Sequence, residues 1–188
     1  MLVYVIRHGQ SESNLTRRWT GWLDVPLTEQ GRKDAQAAHE YLKNIRFDKV
    51  WSSDLSRAME TARIALPDMA FETTPLLREY NVGSLATQPL SILTQEEMNN
   101  AVDNGYALFG GESKEDMSQR IRTMMQTLQQ QNTQTVALFA HAGFLRGMAD
   151  TVLGLRLPHR NLRCNNCTIA SFDYTDGIWQ LHSWLNLS

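Results

Sequence analysis

Met1-Leu2-Val3-Tyr4-Val5-Ile6-Arg7-His8-Gly9 opens the chain with a short apolar run that stops at a guanidinium, an imidazole and a glycine. Residues 1–6 are predicted to form a strand of the fully buried type. Its carboxyl end then carries Arg7 and His8, at the edge where open α/β sheets build ligand sites. The arrangement recurs in Val136-Ala137-Leu138-Phe139-Ala140-His141-Ala142-Gly143. A strand over 134–140 is expected there, with a helix over 142–153.

Working outward, residues 7–27 read as irregular, with Gly21 and Pro26 as breakers. Thr28 is placed to cap a helix that runs to about Lys43. Asp48–Ser52 is a second predicted strand. A helix carrying Leu55, Ala58, Met59, Ala62 and Ile64 follows it, with Ser53 or Asp54 as cap. A short strand is expected over 70–73 and a helix near 93–104. Ser113 with Asp116 resembles a capping box, opening a helix to about Gln131. Two last strands, near 168–174 and 178–184, flank the hairpin signal Asp176-Gly177. Strands alternating with helices predict an α/β sheet covered on both faces. No repeat, low-complexity segment or linker divides the chain. It is read as one domain over 1–188 with a variable cap segment near 80–112.

The 188 residues are 42% hydrophobic and 20% charged, ordinary for a globular chain. Eighteen basic and 20 acidic residues leave a net charge of -2, no electrostatic footprint for nucleic acid or an anionic membrane. No apolar run has the length of a membrane span. The first residues lack the regions of a signal peptide, so a cytoplasmic location is expected. Cys164 and Cys167, in Cys-Asn-Asn-Cys, precede a strand rather than a helix, which favours two unreactive thiols over a redox pair. A zinc site would need further ligands, with only His159 and His182 near. His39, His159 and His182 are read as non-catalytic. Met117, Met124, Met125 and Met148 are read as core residues.

The pattern suggests phosphoryl transfer through a histidine. Such a nucleophile needs one ring nitrogen free and the other fixed by an acceptor. Cations must surround the phosphoryl oxygens in advance, and a protonatable group must face the leaving oxygen. His8 is the candidate nucleophile and Arg7 its clamp, a planar fork that holds two phosphate oxygens. Asn14 offers an amide donor. Arg57, in Ser52-Ser53-Asp54-Leu55-Ser56-Arg57-Ala58, falls in the first turns of a helix at the same sheet edge. His141 ends another strand, so its ring and the amides of Ala142 and Gly143 are expected to face the same anion. Glu79 is the best acid. Taken singly, Arg57 and Glu79 would pass for solvated surface residues. Two strand-end histidines with an arginine behind a third strand are much harder to obtain by accident.

These residues resemble the histidine phosphatase superfamily, in its phosphoglycerate-mutase-like branch. The resemblance rests on Ile6-Arg7-His8-Gly9-Gln10-Ser11, Asn14, Thr20-Gly21-Trp22, Asp24-Val25-Pro26-Leu27-Thr28-Glu29-Gln30-Gly31, Ser52–Ala58, Gly110-Gly111-Glu112-Ser113 and His141-Ala142-Gly143. It implies a three-layer α/β/α sandwich with a mixed, mostly parallel central sheet. It also implies a phosphohistidine on His8 and a phosphate pocket of Arg7, Asn14, Arg57 and His141. Glu79 matches the family's proton donor, which later activates water. Ser11, Thr20, Gly21 and Ala142 fall within or beside the matched motifs and are expected at the phosphate or substrate. No metal or organic cofactor is implied.

The mutases of this branch carry a basic cluster for a substrate carboxylate in a longer insertion. This chain has no lysine or arginine between Glu79 and Ser113. A phosphomonoester hydrolase acting on a small phosphorylated metabolite is therefore expected. A mutase would need its cation from Arg17, Arg18 or the run Arg156, His159, Arg160, Arg163. A non-catalytic phospho-ligand binder is the third alternative. Leu85, Leu90, Ile92, Leu93, Tyr106, Leu108 and Phe109 are candidates for the mouth of the site, with Trp19 and Trp22 beside them. The sequence carries no signal for oligomeric state.

Overall fold

The structure is a computed structural model, and residues 1–155, 158 and 161–187 are described. Six strands form one sheet: β1 (Leu2–Arg7), β2 (Lys49–Ser53), β3 (Glu72–Thr74), β4 (Thr135–Ala140), β5 (Ile169–Thr175) and β6 (Ile178–Leu185). The spatial order is β3-β2-β4-β1-β5-β6. The first four run parallel. β5 lies antiparallel to β1, and β6 pairs antiparallel with β5. The sheet is mixed and mostly parallel, as the family resemblance implied. Asp176 and Gly177, with φ of 54° and 82°, turn the hairpin between β5 and β6, the positive angles that such tight turns demand.

Among the described residues, six α-helices accompany the sheet: α1 (Glu12–Leu15), α2 (Glu29–Leu42), α3 (Ser56–Ala65), α4 (Gln95–Asn104), α5 (Lys114–Gln129) and α6 (Ala142–Leu153). Alternation along the strands divides the apolar side chains between two cores. Ile6, Val50, Ala137 and Phe139 pack under Ala38 and Leu42 of α2 and Ala62 and Ala65 of α3. Val3, Val5, Val136, Leu138 and Phe172 pack on the other face under Met117, Ile121, Met124 and Met125 of α5 and Phe144, Leu145 and Met148 of α6. The four methionines thus lie in the core as expected, all buried. Helix, sheet and helix make the three layers.

Local capping chemistry sets most helix starts where the sequence places them. Thr28 Oγ1 accepts from Gly31 N at 3.0 Å. Ser113 and Asp116 form a reciprocal capping box, and Thr94 with Glu97 forms another. Two expectations change. The stretch 7–27 contains the one-turn helix α1, capped by Ser11 with Asn14. The cap of α3 is Leu55, with no side-chain cap bond. Ser53 and Asp54 serve elsewhere: Ser53 Oγ meets the His141 ring, and Asp54 holds Arg78 through two bonds. Among the described residues, no helix is long and apolar enough to cross a membrane.

β2, β4 and β1 are adjacent and parallel, so Ser53, Ala140 and Arg7 end at one edge. The starts of α3 and α6 lie at that edge, because each follows its strand within two or three residues.

Candidate active site

Strand register delivers His8 and His141 to the same spot. Arg7 pairs with Ala140, and His8 N donates to the Ala140 carbonyl at 3.0 Å. The next residue on each strand is a histidine, and the two ring centroids stand 5.0 Å apart at 61°. Both histidines are buried. His8 Nδ1 lies 2.6 Å from the Gly9 carbonyl. A carbonyl accepts only, so Nδ1 carries the proton and Nε2 is left with its lone pair. Burial first, then the charges of Arg57 and Arg7, hold His8 well below its ordinary 6.5, with the Gly9 bond opposing. Burial also lowers His141, reinforced by Arg57, His8 and Arg7. The Leu55 amide donates to Ser53 Oγ at 3.4 Å. Ser53 Oγ lies 2.9 Å from His141 Nε2, and when the hydroxyl donates to that nitrogen the ring proton is on Nδ1.

The arginines are fixed by backbone rather than by carboxylates. Arg57, among the largest fully buried side chains, donates to the carbonyls of Gly21 at 2.8 Å and Leu23 at 2.9 Å. Burial lowers its pKa to about 10, against the opposing pull of Glu79 and Asp24, and it stays cationic at neutral pH. Arg7 donates to the Cys164 carbonyl at 2.6 Å. Arg7 Nε and His141 Nδ1 are buried and have no hydrogen-bond partner among the described residues. Unsatisfied buried donors of this kind cost about 1–3 kcal/mol each until an acceptor arrives.

Glu79 approaches from the other side. Its carboxylate accepts from Gly143 N at 3.1 Å to each oxygen and from Tyr80 N at 2.9 Å. The sequence reading aimed the Gly143 amide at a substrate anion, but Glu79 occupies it, the closest anion to that helix start. Arg120 secures the backbone around Glu79. It donates to the carbonyls of Leu76, Arg78 and Glu79 and pairs with both oxygens of Glu112. Glu112 in turn accepts from Asn81 N.

These groups border one cavity of about 310 Å³. Arg7, His8, Ser11, Asn14, Thr20, Gly21, Arg57, Glu79 and Ala142 all line it; His141, expected there too, is fully buried beside His8 and does not line it. The Ser11 hydroxyl is used as the cap of α1, and Thr20 Oγ1 lies 3.4 Å from the Arg18 carbonyl. Asn14 Oδ1 accepts from Ser11 N and Asn166 Nδ2, which leaves the Asn14 amino group free to donate.

The mouth differs from the expectation. Leu90, Tyr106 and Trp19 line the cavity, joined by Val82, Met98 and Val102. Leu85 belongs to the core, and Leu108 and Phe109 border a separate cavity. Ile92 and Leu93 do not line the site. Trp22 lies outside it, donating to the Glu79 carbonyl beneath the Arg78 guanidinium. The reason is the run of short 3₁₀ turns, Gly83–Leu85, Leu90–Ile92 and Ala107–Phe109, whose facing no apolar periodicity encodes.

Of the cations considered for a carboxylate, Arg18 lines the cavity and Arg17 does not. Arg163 is bonded to Asn165. Arg156, His159 and Arg160 lie outside the described residues. The sequence reading missed Arg146, which also lines the cavity. The available signal was spacing: Arg146 follows Ala142 by four residues on one helix, so both share a face. It also missed Asn166, which donates to the His8 carbonyl at 3.2 Å as well as to Asn14. The Cys-Asn-Asn-Cys segment therefore braces the site through its backbone and asparagine, while its two thiols are free and buried. Among the described residues, no three His, Cys, Asp or Glu side chains cluster as metal ligands would.

The chain is 32% identical to a protein named "Probable phosphoglycerate mutase GpmB" from Escherichia coli O1:K1, across 97% of this chain and 89% of that one. It superposes on the alpha-ribazole phosphatase of Shigella flexneri with a TM-score of 0.87 and 26% identity, covering 100% and 98% of the two chains. A mycobacterial glucosyl-3-phosphoglycerate phosphatase, solved with VO3, gives 0.85 and 25% over 97% and 98%. The model of the histidine phosphatase superfamily (branch 1) matches residues 3–187, and the chain belongs to that family.

Proposed function

We propose that this chain is a phosphomonoester hydrolase that works through a phosphohistidine on His8. The observation that carries the reading is the neutral, buried His8 imidazole, tied through Nδ1 to a backbone carbonyl, on a cavity shared with Arg7, Arg57 and Glu79. In the first step His8 Nε2 attacks phosphorus, the bond to the alcohol oxygen breaks, and Glu79 gives that oxygen a proton. Arg7, Arg57 and the Asn14 amino group hold the phosphoryl oxygens, with His141 packed beside His8. In the second step Glu79 takes a proton from water, which attacks the phosphohistidine and releases inorganic phosphate with His8 restored.

Charge supports a single phosphate in the cavity. Its lining includes four arginines, residues 7, 18, 57 and 146, and one carboxylate, Glu79. A phosphate group brings a charge of about -1.5 to -2. A bisphosphorylated acid, the intermediate that a mutase passes through, would exceed the three net positive charges by roughly two. The name of the 32% identical relative favours the mutase reading nonetheless, and the absence of basic residues from the cap no longer opposes it, since Arg18 and Arg146 enter from elsewhere.

Phosphate release from a panel of phosphomonoesters tests the proposal, together with 2-phosphoglycerate plus a bisphosphate primer. Release that disappears in His8→Ala, with labelled phosphate trapped on His8 of the wild type, is the expected result. Formation of 3-phosphoglycerate without phosphate release would establish the mutase instead. Saturable binding with neither labelling nor turnover would leave a phospho-ligand binder.

A further inference from the structure

Glu79 stands on a stretch with no regular structure of its own. Residues 78–82 belong to no helix or strand, between the 3₁₀ turns Pro75–Leu77 and Gly83–Leu85. Their carbonyls have no ladder to join, and carbonyls withdrawn from water without a partner are costly. One side chain meets that need. Arg120, on α5, donates through Nη1 to the carbonyls of Leu76 at 2.9 Å and Arg78 at 2.8 Å. Its Nη2 donates to the Glu79 carbonyl at 3.1 Å. Nε and Nη2 also grip Glu112 Oε1 and Oε2, each at 2.9 Å. A guanidinium has five N–H groups, and here every one has an acceptor. The two side chains are only 12% and 14% exposed, and neither lines the cavity.

Glu112 carries the tie across to the far end of the cap. Its amide donates to the Asn81 carbonyl at 2.8 Å, and its Oε2 accepts from Asn81 N at 2.8 Å. The chain enters the cap at Asn81 and leaves it at Glu112 through one neck, and Arg120 locks that neck to the backbone of Glu79. The Glu79 carboxylate itself is held by the amides of Tyr80 and Gly143. The Tyr80 amide belongs to the braced stretch, so a shift of that backbone carries the carboxylate with it. Arg7, His8 and Arg57 are held by other carbonyls and would stay in place. We propose that Arg120, with Glu112 as its counter-ion, is a positioning residue for proton delivery from Glu79 to the leaving oxygen. This inference rests on the reading of Glu79 as the proton donor.

The test compares 4-nitrobenzyl phosphate with 4-nitrophenyl phosphate, which differ by one methylene. The benzyl alcohol oxygen needs a proton as it leaves, whereas nitrophenolate departs as a stable anion with little help. The measured quantity is kcat/KM, which reports the steps up to departure of the alcohol and not the later hydrolysis of the phosphohistidine. Arg120→Lys keeps the charge and loses the fork. It is expected to lower kcat/KM about 100-fold for the benzyl ester, the cost of a displaced catalytic group, and to leave the phenyl ester within about threefold. Glu112→Gln keeps the volume and removes the counter-ion. It should show the same selectivity at about tenfold, and it reads the proposal if the lysine variant does not fold, which near-ultraviolet circular dichroism decides. Glu79→Gln is the reference. It should discriminate the two esters in the same direction, and adding Arg120→Lys to it should cost no more than about threefold. Equal losses for both esters in the folded variants, or full additivity in the double variant, overturn the positioning role and leave the proton donor standing. A Glu79→Gln enzyme that loses equally on both esters sinks the proton-donor reading and the positioning role with it.

Discussion

The two halves of the cavity are built by different means. The half proposed to take the phosphate consists of strand ends and helix starts: Arg7 and His8 at the end of β1, Arg57 on α3, His141 before α6. Its donors are tied to main-chain carbonyls of Gly9, Gly21, Leu23 and Cys164. The cap half consists of short 3₁₀ turns and α4, and it presents Val82, Leu90, Met98 and Val102. A backbone-braced half suits chemistry, where placement within a fraction of an ångström matters. An apolar half on short turns suits selection of the alcohol, where contacts are soft and replaceable.

Substitutions on the two sides should therefore differ in kind as well as in size. His8→Ala is expected to lose at least about 10⁴-fold in phosphate release, since the covalent route disappears. A residual rate within tenfold of wild type would move the chemistry to another group. Gly143→Ala comes next. A Cβ there would stand 2.1 Å from Glu79 Oε1 and 2.7 Å from the Tyr80 ring. Displacing the carboxylate by about 1 Å should cost roughly 100-fold in kcat, with little change in KM. On the other half, Met98→Ala should change KM for apolar alcohol phosphates by a few-fold and spare kcat. If Met98→Ala lowers kcat as Gly143→Ala does, the division of labour is wrong.

How much of this the sequence carries depends on distance along the chain. The continuous apolar strands and the caps at Thr28 and Ser113 are local signals, and they predict the layers well. His8, His141 and Arg57 are legible because each directly follows a strand or opens the next helix. Asn166 and Arg120 are not, because what they do depends on partners far away: Asn166 bonds Asn14 across 152 positions, and Arg120 reaches Glu79 across 41. Ser53 looks like a helix cap because serine before a helix usually is one. Its demand from His141, 88 residues on, overrides that preference.

The smallest expected effect concerns stability and belongs to the braced half alone. His8 and His141 are held below 6.5 in the fold, whereas the unfolded chain protonates them near that value. Below about pH 6.5 the unfolded state therefore binds more protons, and stability falls as pH falls. Above it the two states bind equally and this contribution is flat. Urea midpoints measured from pH 8 to pH 5 should show the decline, and His141→Gln should make it shallower, leaving the contribution of His8. Substitutions in the cap, which holds no histidine, should leave the slope unchanged.

The acceptor that fixes the His8 ring is the carbonyl of the very next residue. No side-chain replacement can delete it, in contrast to enzymes whose imidazole is oriented by an aspartate. Nor does position 9 tolerate bulk, since a Cβ there would stand 2.2 Å from the Gly31 carbonyl oxygen. The tautomer is thus insulated from drift: under the proposed reaction, descendants of this chain can rewrite the mouth and exchange one alcohol for another while the attacking nitrogen stays poised.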